Sequence, residues 1–155
     1  MRTAKEWNAL PASVFPDNYN LGVFKSRVNR YLLGKRGRSD AEVKGWFFSL
    51  AVTCNKDYSI SSEELAMMQQ HKLPDSDGAK CLMACIYRKA DMMDDKGIYD
   101  LEKTNKWVAT EFGDEAERLK NATHLFDLCK TVNDESVSDG DKGCERAYLL
   151  SKCIR

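Results

Sequence analysis

Cys81-Leu82-Met83-Ala84-Cys85 is the stretch on which the fold turns. The surrounding segment, Ser76 to Met92, reads as one helix, so its two cysteines, four positions apart, project from the same face one turn from each other. Sulfurs placed that way cannot bridge without distorting the helix, and each must find a different partner. Cys144 and Cys153, nine positions apart in the last helical segment, are under a similar restriction. At about 100° per residue they lie on opposite sides of that helix. Several pairings of the six cysteines satisfy both restrictions.

Outward from this segment the chain reads as helices throughout. Ser39-Asp40-Ala41-Glu42 is a capping box, with Ser at the cap and Glu three residues later. Val43, Phe47, Leu50 and Cys54 then mark one apolar helical face. A second box, Ser61-Ser62-Glu63-Glu64, opens a short helix carrying Leu65, Met67 and Met68, and Pro74 stops what precedes it. After Cys85, Gly97 marks a turn, Ile98, Leu101, Val108 and Phe112 give a fourth helical face, and Gly113 stands where a C-terminal glycine belongs. A fifth helix is expected from Asp114 to about Val132, with Leu119, Ala122, Phe126 and Cys129 on one side. Gly140 and Gly143 break the chain before a sixth, through Cys144, Tyr148 and Cys153. No stretch alternates apolar and polar residues with β-branched side chains, so the expectation is an all-α, six-helix compact domain.

Charge divides the chain near residue 38. Residues 1–38 hold eight Lys and Arg against Glu6 and Asp17, leaving sixteen basic and twenty-two acidic residues in 39–155, a balance of −6. An acidic body repels phosphate backbones and anionic lipid, which argues against nucleic-acid partners and against membrane attack. The domain boundaries read as a basic N-terminal extension, 1–38, poorly ordered or a short helix, and a helical domain, 39–155. Hydrophobic residues form 43% of the chain, enough for a core, but no apolar run is long enough to span a bilayer.

Six cysteines in so small a domain point to an oxidising compartment. Zinc is the rival use for them, but only two histidines, His71 and His124, accompany them, and disulfides fit better; no metal and no cofactor is expected. With all six cysteines in disulfides no thiol nucleophile remains, and no Ser/His/Asp arrangement, phosphate loop or His-Glu-x-x-His stands out. The reading is therefore not an enzyme.

The intervals between successive cysteines are 26, 3, 43, 14 and 8 residues. Together with the helical pattern, this spacing resembles the six-cysteine signature of insect odorant-binding proteins, the lepidopteran-like members in particular, across all of 39–155. The resemblance implies the interlocked pairing Cys54–Cys85, Cys81–Cys144 and Cys129–Cys153, closed around an apolar cavity. It implies an extracellular carrier that binds and solubilises small hydrophobic ligands, such as odorants or pheromones. The small apolar ligand would be its partner, an odorant receptor only an indirect one, and the protein a monomer or weak dimer. The alternative is a secreted disulfide-rich protein-binding or defence module with no small-molecule ligand.

By offset from the cysteines, the resemblance also implies pocket positions: Phe47, seven before the first; Met83, two after the second; Tyr87, two after the third; and Phe126 and Thr123, three and six before the fourth. Met67 and Met68 on the short second helix, and Trp107 and Val108 on the fourth, complete the set. Tyr87 and Thr123 would be the polar handles. Flexible, polarizable Met side chains suit a site that takes ligands of varied shape. Thr123 also ends a sequon, Asn121-Ala122-Thr123, which inside a helix reads as coincidental. The acid-release devices of moth pheromone carriers have no counterpart here: the loop Lys96-Gly97-Ile98-Tyr99-Asp100 lacks histidine, and only Ile154 and Arg155 follow Cys153. Little pH switching is expected.

The beginning of the chain contradicts its body. Met1 to Asn20, with Lys5, Glu6, Asp17 and two prolines, lacks the apolar stretch of an export signal. Trp7-Asn8-Ala9-Leu10-Pro11, followed by the segment Phe24 to Arg36, resembles the extreme C-terminus of reverse transcriptases from non-LTR retrotransposons, without a polymerase's catalytic aspartates. The expectation is that a retroelement exon, or a misjoined gene model, stands where the signal peptide belongs.

Overall fold

The computed structural model describes residues 38–155. The expectations placed on residues 1–37, the extension and its retroelement likeness, lie outside the described residues. Among the described residues six α-helices follow one another: α1 Asp40–Tyr58, α2 Ser62–Gln69, α3 Asp77–Lys89, α4 Leu101–Phe112, α5 Ala116–Leu128 and α6 Cys144–Cys153. Two short 3-10 turns, Cys129–Asn133 and Gly140–Lys142, lie between α5 and α6. Among the described residues extended pairing is limited to one bridge between Met93 and Tyr99.

Local chemistry starts the helices. Ser39 Oγ accepts from the Glu42 N–H at 3.2 Å while the Ser39 N–H donates to Glu42 Oε2 at 2.6 Å, and Ser61 and Glu64 repeat the arrangement at α2. Each box satisfies amides that a helix start leaves unpaired. Ser76 caps α3 through the Ala79 N–H.

Helix α3 ends at Lys89, earlier than the expected Met92. Asp91 turns left-handed (φ 62°), its N–H bonds Arg88 O at 3.0 Å, and the Met92 N–H bonds Tyr87 O at 2.8 Å. This is a Schellman ending. It swings Met92 and Met93 into the core, where they are 1% and 3% exposed, a position that continued helix would deny them. His71 does the same for α2, left-handed at φ 59° with the Lys72 N–H on Met67 O at 2.8 Å. Gly113 caps α4 but keeps right-handed dihedrals (φ −58°), so no left-handed turn depends on it. Helix α5 stops at Leu128, short of Val132, because the chain tightens into the 3-10 turn that buries Cys129 and Val132.

Helix α3 is the hub, packed against α1 on one side and α6 on the other, while α4 pairs with α5. Disulfides staple the same contacts. Cys54–Cys85 joins α1 to α3, Cys81–Cys144 joins α3 to the start of α6, and Cys129–Cys153 joins the 3-10 turn to the end of α6. The closed segments overlap, so α1, α3 and α6 cannot separate without breaking a bond. Their sequence separations of 31, 63 and 24 residues correspond to roughly 3–4 kcal/mol each in the chain-entropy account. Two buried clusters form the interior, one under α1 and α3 (Ala51, Cys54, Ile60, Leu82, Ile86) and one under α3 and α6 (Met83, Tyr87, Met92, Tyr99, Leu150). Phe47, Leu50 and Met68 pack against both.

Candidate functional site

Trp107, on α4, stands at the centre of an aromatic group gathered from three helices. Its ring stacks on Trp46 of α1 at 6.1 Å and meets Phe47 of α1, Phe112 of α4 and Phe126 of α5 edge-on at 5.8, 5.8 and 6.2 Å. Closeness in sequence accounts for the local part: Trp46 and Phe47 are neighbours on α1, and Phe112 lies five positions beyond Trp107. Helix packing supplies the rest. Offset and edge-on pairs of this kind stabilise by about 0.5–1.5 kcal/mol each beyond their burial. The Trp107 indole Nε1 is buried and has no hydrogen-bond partner.

Two guanidinium groups cover this cluster. Arg38 lies 4.6 Å over the Trp46 ring and bonds the Glu111 carboxylate through Nε at 3.0 Å and also through Nη2. That bond raises the Arg38 pKa above its ordinary value, against the opposing pull of burial. Arg118 lies 4.3 Å over Phe112, bonds Glu115 at 2.9 Å and Asp40, and donates to the Arg38 carbonyl at 3.4 Å. Burial alone lowers the Arg118 pKa, but the bonds to Glu115 and Asp40 outweigh it and leave it raised.

A second polar group lies deeper, between α3 and α6. Tyr87, 7% exposed, shares a 2.8 Å hydrogen bond with Ser151 Oγ, which donates to Ala147 O at 2.9 Å and lies 3.3 Å from Met83 Sδ. Burial pushes the Tyr87 phenol up to about 12, with the Ser151 bond working the other way.

The residues proposed from the sequence fall into three sets. Phe47, Trp107 and Phe126 meet in the aromatic group. Met83, Tyr87 and Val108 are buried, and Met68 packs against both core clusters. Met67 is 36% exposed and Thr123 lies exposed on α5, so neither joins the others. Trp46, Ser151 and the Arg38–Glu111 pair escaped the sequence reading. Trp46 sits beside the Val43–Phe47–Leu50 stripe and could have been found as its flank. Arg38, counted with the extension by charge, is 73 residues from Glu111, and no local signal joins them.

Among the described residues no His, Cys, Asp and Glu are grouped to hold a metal, and no helix is long and apolar enough to cross a membrane. Residues 38–155 match the model of the PBP/GOBP family. General odorant-binding protein 19d of Drosophila melanogaster is 26% identical over 105 residues, 68% of this chain and 67% of its own length. General odorant-binding protein 28a of the same fly is 22% identical over 77% of this chain and 80% of its own. Among solved structures, the Drosophila melanogaster odorant-binding protein dmelOBP28a superposes with a TM-score of 0.56 at 23% identity, covering 74% of this chain and 89% of that one. Apis mellifera odorant-binding protein 5 gives 0.59 at 17% identity, covering 76% and 90%.

Proposed function

This chain belongs to the PBP/GOBP family, and from that premise we propose that it is an extracellular carrier which takes up small hydrophobic molecules, odorants, pheromones or similar, in an internal site. One observation carries the reading: four aromatic rings from α1, α4 and α5 converge on Trp107 within a domain stapled by three overlapping disulfides. Ligand sites are mostly apolar with a few polar groups. A fold held by cross-links tolerates an open interior that a core of the same size held by packing alone does not. Disulfides persist in oxidising compartments, which supports export. On this reading residues 38–155 carry the function and residues 1–37 take no part in binding.

A ligand burying about 250–350 Å² of apolar surface gains roughly 6–9 kcal/mol. Lost translational and rotational freedom opposes that gain, while burial of the pocket's own apolar surface and shape complementarity add to it, so dissociation constants on the order of micromolar follow. The test is titration of the oxidised full-length protein with the fluorescent probe N-phenylnaphthylamine, followed by displacement with a panel of volatile and lipid compounds. Saturation at one probe per chain and competitive release are expected. A probe signal that never saturates, or is not displaced by any apolar compound, overturns the proposal in favour of a protein-binding module.

A further inference from the structure

We infer that the ligand carries a carbonyl oxygen, as an aldehyde, ketone or ester, and that this oxygen accepts the indole N–H of Trp107. The inference rests on the carrier reading above and adds the chemical class of the ligand.

Among the described residues three buried side-chain polar atoms lack a partner: Asn105 Oδ1, Asp139 Oδ1 and Trp107 Nε1. Only the last is a donor, and an indole nitrogen can do nothing but donate. Buried indoles usually find an acceptor, because an unmade bond leaves the group's lost hydration uncompensated. The rings around Trp107 offer only their π faces, which accept weakly.

The other interior hydroxyls are already engaged. Tyr87 pairs with Ser151, Ser151 donates to Ala147 O, Tyr99 donates to Phe126 O at 3.2 Å and Thr104 to Asp100 O at 2.8 Å. Thr123 is exposed. The unmet donor thus lies where the aromatic rings converge, and an incoming apolar chain would meet it there.

A carbonyl fits that donor better than an alcohol. A carbonyl oxygen accepts and leaves nothing over, whereas an alcohol that accepts from Trp107 brings its own O–H among aromatic rings. The nearest orphaned acceptor in sequence, Asn105 Oδ1, lies two positions back, about 200° around α4, on the far side of the helix. A site built on a buried unpaired donor rejects analogues that cannot satisfy it far more sharply than an apolar wall rejects a change of length.

The test compares a straight-chain alkane, the primary alcohol and the methyl ketone of the same chain length as competitors for N-phenylnaphthylamine on the full chain. The ketone is expected to bind about tenfold more tightly than the alkane, with the alcohol between. Trp107→Phe keeps an aromatic ring and removes the N–H, so it should erase the ketone's tenfold advantage over the alkane, whatever the lost indole surface costs both. Equal affinities for ketone and alkane, or a ketone preference that survives Trp107→Phe, overturn the inference while the carrier reading stands. Failure of the probe itself to bind removes both. Should Trp107→Phe not fold, the nitrogen-labelled wild-type protein decides. Its Trp107 indole proton, assigned by substituting Trp7 and Trp46, should move downfield with the ketone and not with the alkane; an unmoved resonance overturns the assignment.

Discussion

Gly97 and Gly143 meet backbone to backbone. A Cβ on Gly97 would stand 2.6 Å from Gly143 Cα, and one on Gly143 would stand 2.7 Å from Gly97 Cα. Both are left-handed, at φ 72° and 70°, so each position excludes a side chain by conformation as well as by space. The contact seats the turn after α3 against the start of α6, and Arg88 ties it further, donating to Asp94 O at 3.2 Å and Asp141 O at 2.7 Å.

Gly97→Ala should therefore be among the most damaging single substitutions in the domain. The left-handed backbone alone costs a β-carbon residue about 1–2 kcal/mol, and the obstacle here is backbone, which cannot rotate away. A total loss of roughly 3 kcal/mol or more is expected, within the range of severe single mutations. Denaturant unfolding of the oxidised protein measures it; a change below about 1 kcal/mol would mean that the contact opens at little cost.

Tyr87 and Ser151 form a pair with unequal consequences. Tyr87→Phe leaves Ser151 Oγ on Ala147 O, a small change. Ser151→Ala strands the buried Tyr87 hydroxyl and should cost about 1–3 kcal/mol. Calorimetric or chemical unfolding of the two variants, with the alanine variant not the weaker, would refute the asymmetry.

Alkali should unfold the protein through the same group. Burial raises both Tyr87 and Tyr99 from 10.0 to about 12, so the folded state holds their protons more tightly than the unfolded state does. Stability from these phenols is complete below pH 10 and is lost as pH rises towards 12. Phenolate absorbance and helical circular dichroism should change together in that window. Full tyrosine ionisation near pH 10 with the helices intact would contradict the burial argument.

Acid should do little between pH 7 and pH 5. The capping-box carboxylates Glu42 and Glu64, and Glu145 in the first turn of α6, are held below their ordinary 4.5 by hydrogen bonds from Ser39, Ser76 and Ser138, with Ser61 also bonding Glu64. Their contribution is present above that value and is lost only as pH falls below it. His71 and His124 are both exposed, and His71 serves through its left-handed backbone. Probe affinity should stay constant from pH 7 to pH 5. His71→Gly should raise stability by about 0.5–1 kcal/mol as the left-handed strain is relieved. A sharp loss of affinity at pH 5 with the helices unchanged, cancelled by His71→Gly, would give the imidazole the role denied to it here.

Phe47 bridges both core clusters and touches Trp107, so on the proposed reading it serves the fold and the ligand site at once. Phe47→Ala should weaken probe binding about tenfold or more, a loss of about 1.4 kcal/mol or above, while the disulfides keep the helices in place. Unchanged affinity would remove Phe47 from the site.

What the sequence determined by itself was everything whose cause lies within a few residues. The capping boxes at Ser39 and Ser61, the helical faces through Cys54 and Cys129, and the prohibition on a Cys81–Cys85 bond all follow from hydrogen bonds and side-chain directions within one or two turns. What only tertiary structure decided was which faces meet and what covers them. Helical periodicity marks Phe47 and Phe126 as inward, but cannot place them on the same indole, since that depends on the packing of α1 and α5 against α4. Thr123 shows the converse: three positions from Phe126 on α5, it is exposed, because the face that packs against α4 is the one Phe126 occupies. The end of α3 was settled the same way, when burial of Met92 and Met93 outweighed continued helix and made Asp91 turn left-handed. Arg38 and Glu111, 73 residues apart, and the unpaired Trp107 N–H have no local signature at all. An ion pair across the fold and a missing partner are properties of the packed interior, and a linear pattern of residues does not encode them.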